Sequence, residues 1–427
     1  MMNNELVRSA TLESEKPRLI DKLARRVLLN CLKQLSSGQI VISERGERFV
    51  FGEVSDELPL SATITVNNPR FYSEIAFGGT IGSGEAFMQD FWRCDDLTAL
   101  IRILLRNAAV LEQVGSGLAS LSKPIRKLLH RLNRNSHSGS RRNIAAHYDL
   151  GNDFYRLWLD ERMMYSCAFF DTPDMSLDDA ATSKLERICR KLQLCSDDSV
   201  IEIGTGWGGF AVYAAQNYGC HVTTTTISRQ QYEHAQAAVN AAGVADRVTL
   251  LLDDYRDLDG HYDKLVSIEM IEAVGHQFHA DFFRKCQQLL KPDGLMLLQA
   301  ITIADQRYDS YKSSVDFIQR YIFPGGCLTS VTDMARVTTL ETDLRMIHLE
   351  DIGPHYATTL RLWHDRFLGK VDEVRKLGYS NAFIRLWQFY FCYCESAFIE
   401  RTTGTVQMLM MRPGTRALNI DPKSVVM

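Results

Sequence analysis

Ser199-Val-Ile-Glu-Ile-Gly204-Thr-Gly206-Trp-Gly208-Gly209-Phe210 is the stretch whose reading decides the fold. Residues 199–203 form an apolar, β-rich run that ends in a glycine-dense turn. The helix-like run Phe210-Ala-Val-Tyr-Ala-Ala-Gln follows at once. Glycine lets the backbone turn sharply and approach a ligand with no Cβ in the way. A helix N-terminus behind such a turn offers unpaired N–H groups. A strand, glycine loop and helix in this order bind a nucleotide-like cofactor. A dinucleotide fold calls for G-x-G-x-x-G; here the third glycine, Gly208, comes one residue early. An ordinary tight βα turn is the plainer alternative, and four glycines within six positions weigh against it.

Working outward, the pattern from about residue 142 alternates strand and helix. Strands are expected at 199–203, 221–227, 248–252, 265–269 and 295–303, with helices between them, including 230–242 and 280–290. That alternation implies an α/β fold with a Rossmann-like, doubly wound parallel sheet, whose ligands bind beyond the carboxyl ends of the strands. A long insertion, 304–355, precedes helices at 356–376 and 381–400 and a last strand from Val406. Ahead of this lies a smaller α/β module. It has a helix over 17–35, short strands at 40–42, 49–51 and 62–66, and a helix over 97–111. Its glycine cluster, 77–84, reads as a hinge-like turn because no strong strand precedes it. The expected division is 1–120 for this module, 121–142 for a linker and 143–427 for the catalytic domain.

The linker is basic. Residues 123–142 hold Lys123, Arg126, Lys127, Arg131, Arg134, Arg141 and Arg142 and no acid, with leucines and Ile125 at helical spacing. Such a segment suits an anionic membrane surface, or equally a helix docked by one face on the core.

Composition bounds the rest. At 427 residues, 45% hydrophobic and 23% charged, the chain is globular and long enough for two domains. A net charge of -4 does not suggest a nucleic-acid partner. No apolar run approaches the roughly 20 residues of a spanning helix, and the N-terminus has no secretory pattern. Ten scattered cysteines form neither a disulfide framework nor a zinc pattern. The reading is a cytoplasmic protein with reduced thiols.

Chemistry-bearing residues cluster at the expected strand ends. Strand 221–227 lacks the ribose-gripping acid of many nucleotide folds; Gln231, whose amide both donates and accepts, is a plausible substitute. Asp253-Asp254-Tyr255-Arg256-Asp257 suits an adenine site, or a helix N-cap. Ser267-Ile-Glu269-Met-Ile-Glu272-Ala-Val-Gly-His puts two carboxylates three apart, where a helix would set them on one side.

Together these residues resemble the cyclopropane-fatty-acyl-phospholipid synthase family of S-adenosylmethionine-dependent methyltransferases. The matching motifs are His147-Tyr-Asp-Leu-Gly-Asn-Asp-Phe-Tyr, Tyr165-Ser-Cys-Ala, Ile203-Gly-Thr-Gly-Trp-Gly-Gly, Thr226-Ile-Ser-Arg-Gln-Gln, Asp254-Tyr-Arg-Asp, Ser267-Ile-Glu-Met-Ile-Glu-Ala-Val-Gly-His and Tyr321-Ile-Phe-Pro-Gly-Gly-Cys. The resemblance spans about 140–412. It implies methyl transfer from S-adenosylmethionine to a cis double bond of a phospholipid acyl chain, a carbocation, and loss of a proton to a bound bicarbonate as the ring closes. By position, Cys167, Glu272, Gln299, Ile301 and Tyr356 match the bicarbonate-holding residues, Cys167 and Ile301 through their backbones. Tyr148, Tyr165, Ser166, Gly204, Gly206, Thr226, Gln231 and Tyr255 match cofactor-binding positions. Cys394 matches a C-terminal cysteine suspected of a part in the chemistry; residue-level reasoning makes it a small hydrophobe. Gln299 stands where many members carry histidine, and a glutamine cannot titrate.

A carbocation needs a dry pocket and aromatic faces, for which Tyr165, Phe169, Phe170, Tyr356 and Phe391 are candidates. The resemblance further implies a peripheral enzyme on the inner membrane face and a homodimer; an acyl chain that must reach the cofactor calls for an apolar tunnel lined in part by 304–355. A methyltransferase making methylene- or methyl-branched chains is the alternative enzyme. A non-catalytic lipid-binding protein with a relic cofactor fold is the alternative of another class.

Overall fold

The computed structural model describes residues 16–108 and 150–416. Tyr148 and the basic linker lie outside them. The described residues divide into two compact units. One takes 16–108, 314–322 and 368–400; the other takes 150–313, 323–367 and 401–416. The segments 314–322 and 368–400, expected within the catalytic domain, thus fall in the first unit.

The first unit holds a four-stranded sheet in the order β2-β1-β3-β4. Its strands are β1 (Gly38–Glu44), β2 (Glu47–Glu53), β3 (Ser61–Val66) and β4 (Trp92–Cys94). β1 and β2 form an antiparallel hairpin, and β3 runs parallel to β1. Its longer helices are Leu19–Leu32, Arg70–Met88, Leu97–Arg106 and Asn381–Ile399, with the short Phe317–Tyr321 and Val371–Lys376 beside them in the same unit. The glycine cluster 77–84 does carry the expected bend, but between two helical segments and not as a loop. It lies inside the helix Arg70–Met88, kinked at Gly79. Its glycines answer a packing need: a Cβ on Gly84 would stand 2.3 Å from the Phe317 ring.

The second unit is built on seven strands in the order β10-β11-β9-β8-β5-β6-β7. They are β5 (Ser199–Ile203), β6 (His221–Thr225), β7 (Val248–Leu251), β8 (Tyr262–Ile268), β9 (Leu290–Ile303), β10 (Arg345–Asp351) and β11 (Thr403–Met411). The five central strands are parallel. β11 runs antiparallel to both β9 and β10. Side chains alternate between faces along a strand, and the core divides accordingly. Val200, Val222, Val266, Leu297 and Leu409 pack with helices Leu177–Leu192 and Gly209–Tyr218. Ile201, Leu265, Leu298, Met408 and Met410 pack on the opposite face with helix His279–Leu289. The sheet is therefore doubly wound. β10 falls within the expected insertion 304–355; its half-buried, charge-bearing sequence at the sheet edge lacks the apolar signature of the inner strands.

From β5 the chain winds through β6 to β7, then returns to place β8 on the other side of β5. The order reverses between β5 and β8, and ligands bind at such a point, beyond the carboxyl ends of the strands. The glycine loop leaves β5 there, with Gly204, Gly206 and Gly208 all at positive φ. Gly209 does occupy the sixth position of G-x-G-x-x-G, so the pattern alone does not separate dinucleotide from other cofactors. A Cβ at Gly209 would meet the Met164 sulfur at 2.4 Å.

Candidate active site

A cavity opens at this reversal point. Its wall includes Tyr165, Ser166, Gly204, Gly206, Thr226, Gln231 and Tyr255, the described residues of the expected cofactor set. Thr226 donates its hydroxyl hydrogen to Gln231 Oε1 at 2.8 Å. Both side chains are buried, which fixes them at the end of β6. Asp253 also lines the cavity. Asp254 caps the short turn after β7, accepting from the Arg256 N–H at 3.1 Å and pairing with its guanidinium at 2.6 Å. Tyr255 packs edge-on against Phe282 with centroids 5.6 Å apart.

Beside the cavity, Glu269 follows the last residue of β8. Its φ is 50°, in the left-handed region that a residue with a Cβ seldom adopts. Such strain persists where the surroundings over-determine it, and it gathers at functional sites. Three donors hold the Glu269 carboxylate. Oε1 accepts from the Cys167 backbone N–H at 2.9 Å and from Gln299 Nε2 at 2.8 Å. Oε2 accepts from the Tyr356 hydroxyl at 2.8 Å. The Gln299 amide is itself oriented. It faces Gln407 across the β9–β11 ladder, and Gln407 Nε2 donates to Gln299 Oε1 at 3.0 Å. Lys191 in turn donates to Gln407 Oε1 at 2.7 Å.

Glu272 follows on a short 3-10 turn, Ile271–Ala273. Its Oε1 accepts from the Ile301 backbone N–H at 2.5 Å, while its buried Oε2 has no partner among the described residues. Burial, then the neighbouring Glu269 charge, pushes the Glu272 carboxyl up to about 8, so it is largely protonated at neutral pH. Glu269 is also raised by burial, but its hydrogen bonds from Gln299, Cys167 and Tyr356 and the charge of Lys184 act the other way. The two carboxyls therefore stand in different surroundings, Glu269 facing three donors and Glu272 only one among the described residues. The Cys167 thiol, fully buried beside Glu269, is raised and stays protonated.

Sequence reasoning paired Glu269 with Glu272 but left Glu269 outside the site set, and it missed Lys184 entirely. Lys184 sits at a buried position of the apolar face of helix Leu177–Leu192. A lysine at a core position of an amphipathic stripe was the available signal. Its ammonium donates to Ser166 Oγ at 2.7 Å. Burial lowers its pKa, and Glu269 and Asp160 oppose that shift. Glu202, at the end of β5, accepts from Thr224 at 2.6 Å and is raised by burial to about 8.

An aromatic cluster surrounds Tyr165. The rings of Trp158, Trp363, Tyr155 and Phe323 stand 5.3, 5.4, 5.7 and 6.0 Å from it. Tyr356 meets Trp363 at 6.0 Å. Phe169 is occupied otherwise, with the Arg187 guanidinium 4.3 Å over its face and His355 at 4.2 Å. Phe170 donates its N–H to His355 Nδ1. Phe391 and Cys394 lie on helix Asn381–Ile399 of the first unit.

The donors expected to hold a bicarbonate are therefore already bonded to the protein's own carboxylates. Cys167 N–H, Gln299 and Tyr356 serve Glu269, and Ile301 N–H serves Glu272. The residues present do not fit a bound bicarbonate in this arrangement.

The doubly wound sheet, its glycine loop and the cavity at the reversal point define a nucleotide-type cofactor site, and the comparisons identify its class as that of the S-adenosylmethionine-dependent methyltransferases. The sequence model described as mycolic acid cyclopropane synthetase matches residues 135–408. The chain belongs to that family, as a methyltransferase of the cyclopropane synthase type. A tuberculostearic acid methyltransferase of Mycobacterium tuberculosis is 38% identical over 83% of this chain and 84% of its own length. The cyclopropane-fatty-acyl-phospholipid synthase of Escherichia coli is 37% identical over 84% of this chain and 90% of its own. Among solved structures, a mycolic acid cyclopropane synthase complexed with SAH and CTAB superposes with a TM-score of 0.59. It is 29% identical and covers 64% of this chain and 98% of its own.

Proposed function

We propose that this protein is a cyclopropane-fatty-acyl-phospholipid synthase. It transfers the methyl of S-adenosylmethionine to the cis double bond of an unsaturated phospholipid chain and closes a cyclopropane ring. The observation that carries this reading is the carboxylate of Glu269, held by three donors at the wall of the cofactor cavity. Methyl transfer leaves a carbocation, and ring closure needs a base fixed beside the new methyl group. The aromatic rings around Tyr165 suit both a sulfonium cofactor and that cation. Tyr165, Ser166, Gly204, Gly206, Thr226, Gln231 and Tyr255 are the proposed cofactor contacts, joined by Tyr148 on motif grounds. Cys167, Glu272, Gln299, Ile301 and Tyr356 are the proposed supports of the reacting centre. Cys394 is kept as a proposal on motif grounds alone.

Substrate presentation follows from the chemistry. A phospholipid chain is offered at a membrane surface, so we propose a peripheral enzyme of the cytoplasmic face acting as a homodimer. Among the described residues no helix is long and apolar enough to cross a membrane.

A second reading has one specific support. The tuberculostearic acid methyltransferase and the cyclopropane synthase are equally similar to this chain. A 1,2-hydride shift that moves the cation onto the methyl-bearing carbon, followed by loss of a proton from that methyl, would give a methylene branch instead of a ring. Proton NMR separates the two outcomes. Purified protein is incubated with monounsaturated phospholipid vesicles and methyl-labelled S-adenosylmethionine. High-field cyclopropane signals in the extracted lipid are expected. Olefinic methylene signals instead would favour the branched product, and unlabelled lipid would sink both.

A further inference from the structure

Resting on that reading, we infer that Glu269 is itself the base of ring closure, so that the reaction in this chain runs without bicarbonate. The geometry argues it in four steps.

A base for this proton must lie at the wall of the cofactor cavity, where the transferred methyl arrives. Glu269 lines that wall. It must be ionised before the cation forms. Burial raises its carboxyl, and against this the geometry sets three donors and, among the described residues, no acceptor on its two oxygens, a set that serves the charged form. It must retain an acceptor site. A carboxylate offers about four lone-pair positions. Two donors use Oε1 and one uses Oε2, so Oε2 keeps a position for the proton. Lastly, it must be the anion that the donor set serves. Cys167 N–H, Gln299 and Tyr356 converge on this side chain, and Gln407 locks Gln299 in the donating orientation. The left-handed backbone of Glu269 is the conformational cost of delivering the carboxylate there.

The step balances. The sulfur–methyl bond breaks with its electron pair left on sulfur, giving the neutral thioether product. The double bond's π pair forms the new bond to the methyl carbon and leaves the cation on the other carbon. Glu269 Oε2 takes one methyl proton, and the C–H pair closes the ring. Glu269 ends as the neutral acid and loses its proton to solvent as the products leave.

The test uses the full chain, monounsaturated phospholipid vesicles and sodium bicarbonate as the probe. In carbon-dioxide-free buffer the wild-type rate is expected to stay within about twofold on adding bicarbonate; a rise of about tenfold or more would overturn the inference, since a general base contributes at least that much. Glu269→Gly is expected to lose cyclopropane formation about 100-fold or more and to regain part of it as bicarbonate enters the vacated donor set. Retention of the wild-type rate by Glu269→Gly in bicarbonate-free buffer would equally overturn it. Carbon-13 NMR of labelled bicarbonate supplies a readout independent of turnover: broadening with Glu269→Gly and none with wild type is expected, and broadening with wild type counts against. S-adenosylmethionine titration of the variant, expected to match wild type, establishes that it is folded. Wild type that transfers no methyl label to lipid fails the proposed function itself. Wild type that transfers label only with bicarbonate fails this inference alone.

Discussion

Charge at single residues sets the working pH range of this site. Glu202 and Glu272 are both raised to about 8 by burial. A carboxyl whose folded pKa exceeds its unfolded value near 4.5 favours folding while protonated. That contribution is complete below the unfolded value and is lost as pH rises through the folded one. Melting temperature should therefore fall as pH is raised from about 6 to about 9. Glu202→Gln, which cannot ionise, should flatten the fall; an unchanged slope would refute the assignment. Lys184 argues the opposite sign of charge. It is fully buried, and Glu269 and Asp160 supply its counter-charges. Removing one partner of a buried charge set costs about 3–5 kcal/mol, so Lys184→Met should lower the melting temperature by several degrees in thermal denaturation. A melting temperature equal to wild type would mean the lysine is not charged there. Tyr356→Phe is gentler. It removes one donor to an ionised carboxylate, worth about 1.5–3 kcal/mol. Turnover should drop about tenfold or more while S-adenosylmethionine affinity, read by calorimetry, holds.

Elements differ in how plainly the sequence announces them. The β5–glycine-loop–helix unit was legible because its signals are local: an apolar run, glycines that must turn, and a helix-forming stretch, all within a dozen positions. The parallel strands β5, β8 and β9 were legible for the same reason, being apolar on both faces. The glycine cluster 77–84 was read in part: its bend at Gly79 was legible, the helix on either side of it was not. Glycine disfavours a helix interior, and the contact that demands it, the Phe317 ring against Gly84, comes from more than 200 positions away. Gly84→Ala tests this directly. The added methyl would overlap Phe317, and overpacking of this kind costs about 1–3 kcal/mol; Phe317→Leu in the same chain should recover part of the lost melting temperature. Glu269 was half legible. Its spacing from Glu272 was visible, but the left-handed turn that separates the roles of the two carboxylates is set by donors on β9, on helix Gly353–Gly369 and in the 163–168 segment. No local pattern encodes that convergence.

Across the whole molecule, charge and apolar surface are distributed unevenly, and that bears on how lipid is reached. The chain carries a net charge of -4, yet residues 123–142 contain basic residues and no acid. They join the segment that opens the first unit to the segment that opens the second in sequence. The first unit also exposes Leu19, Ile20 and Leu23 on its opening helix, beside Lys22 and Arg26. An anionic membrane attracts each nearby Lys or Arg by about 1 kcal/mol, within a Debye length of the surface. Changing Arg126, Lys127 and Arg131 to Ala should then weaken partition onto anionic vesicles by about a hundredfold at low salt. Flotation of protein with vesicles measures it. The difference between variant and wild type should shrink as salt is raised, because screening removes what the three charges supplied. Activity on lipid dispersed in a neutral detergent should be the same for both proteins, since these positions are far in sequence from every proposed site residue except Tyr148. Equal partition of variant and wild type at low salt would mean the linker contributes nothing to membrane attraction. The exposed apolar face of the opening helix would then be the segment to change next, with Leu19, Ile20 and Leu23 replaced by serine in the same flotation measurement.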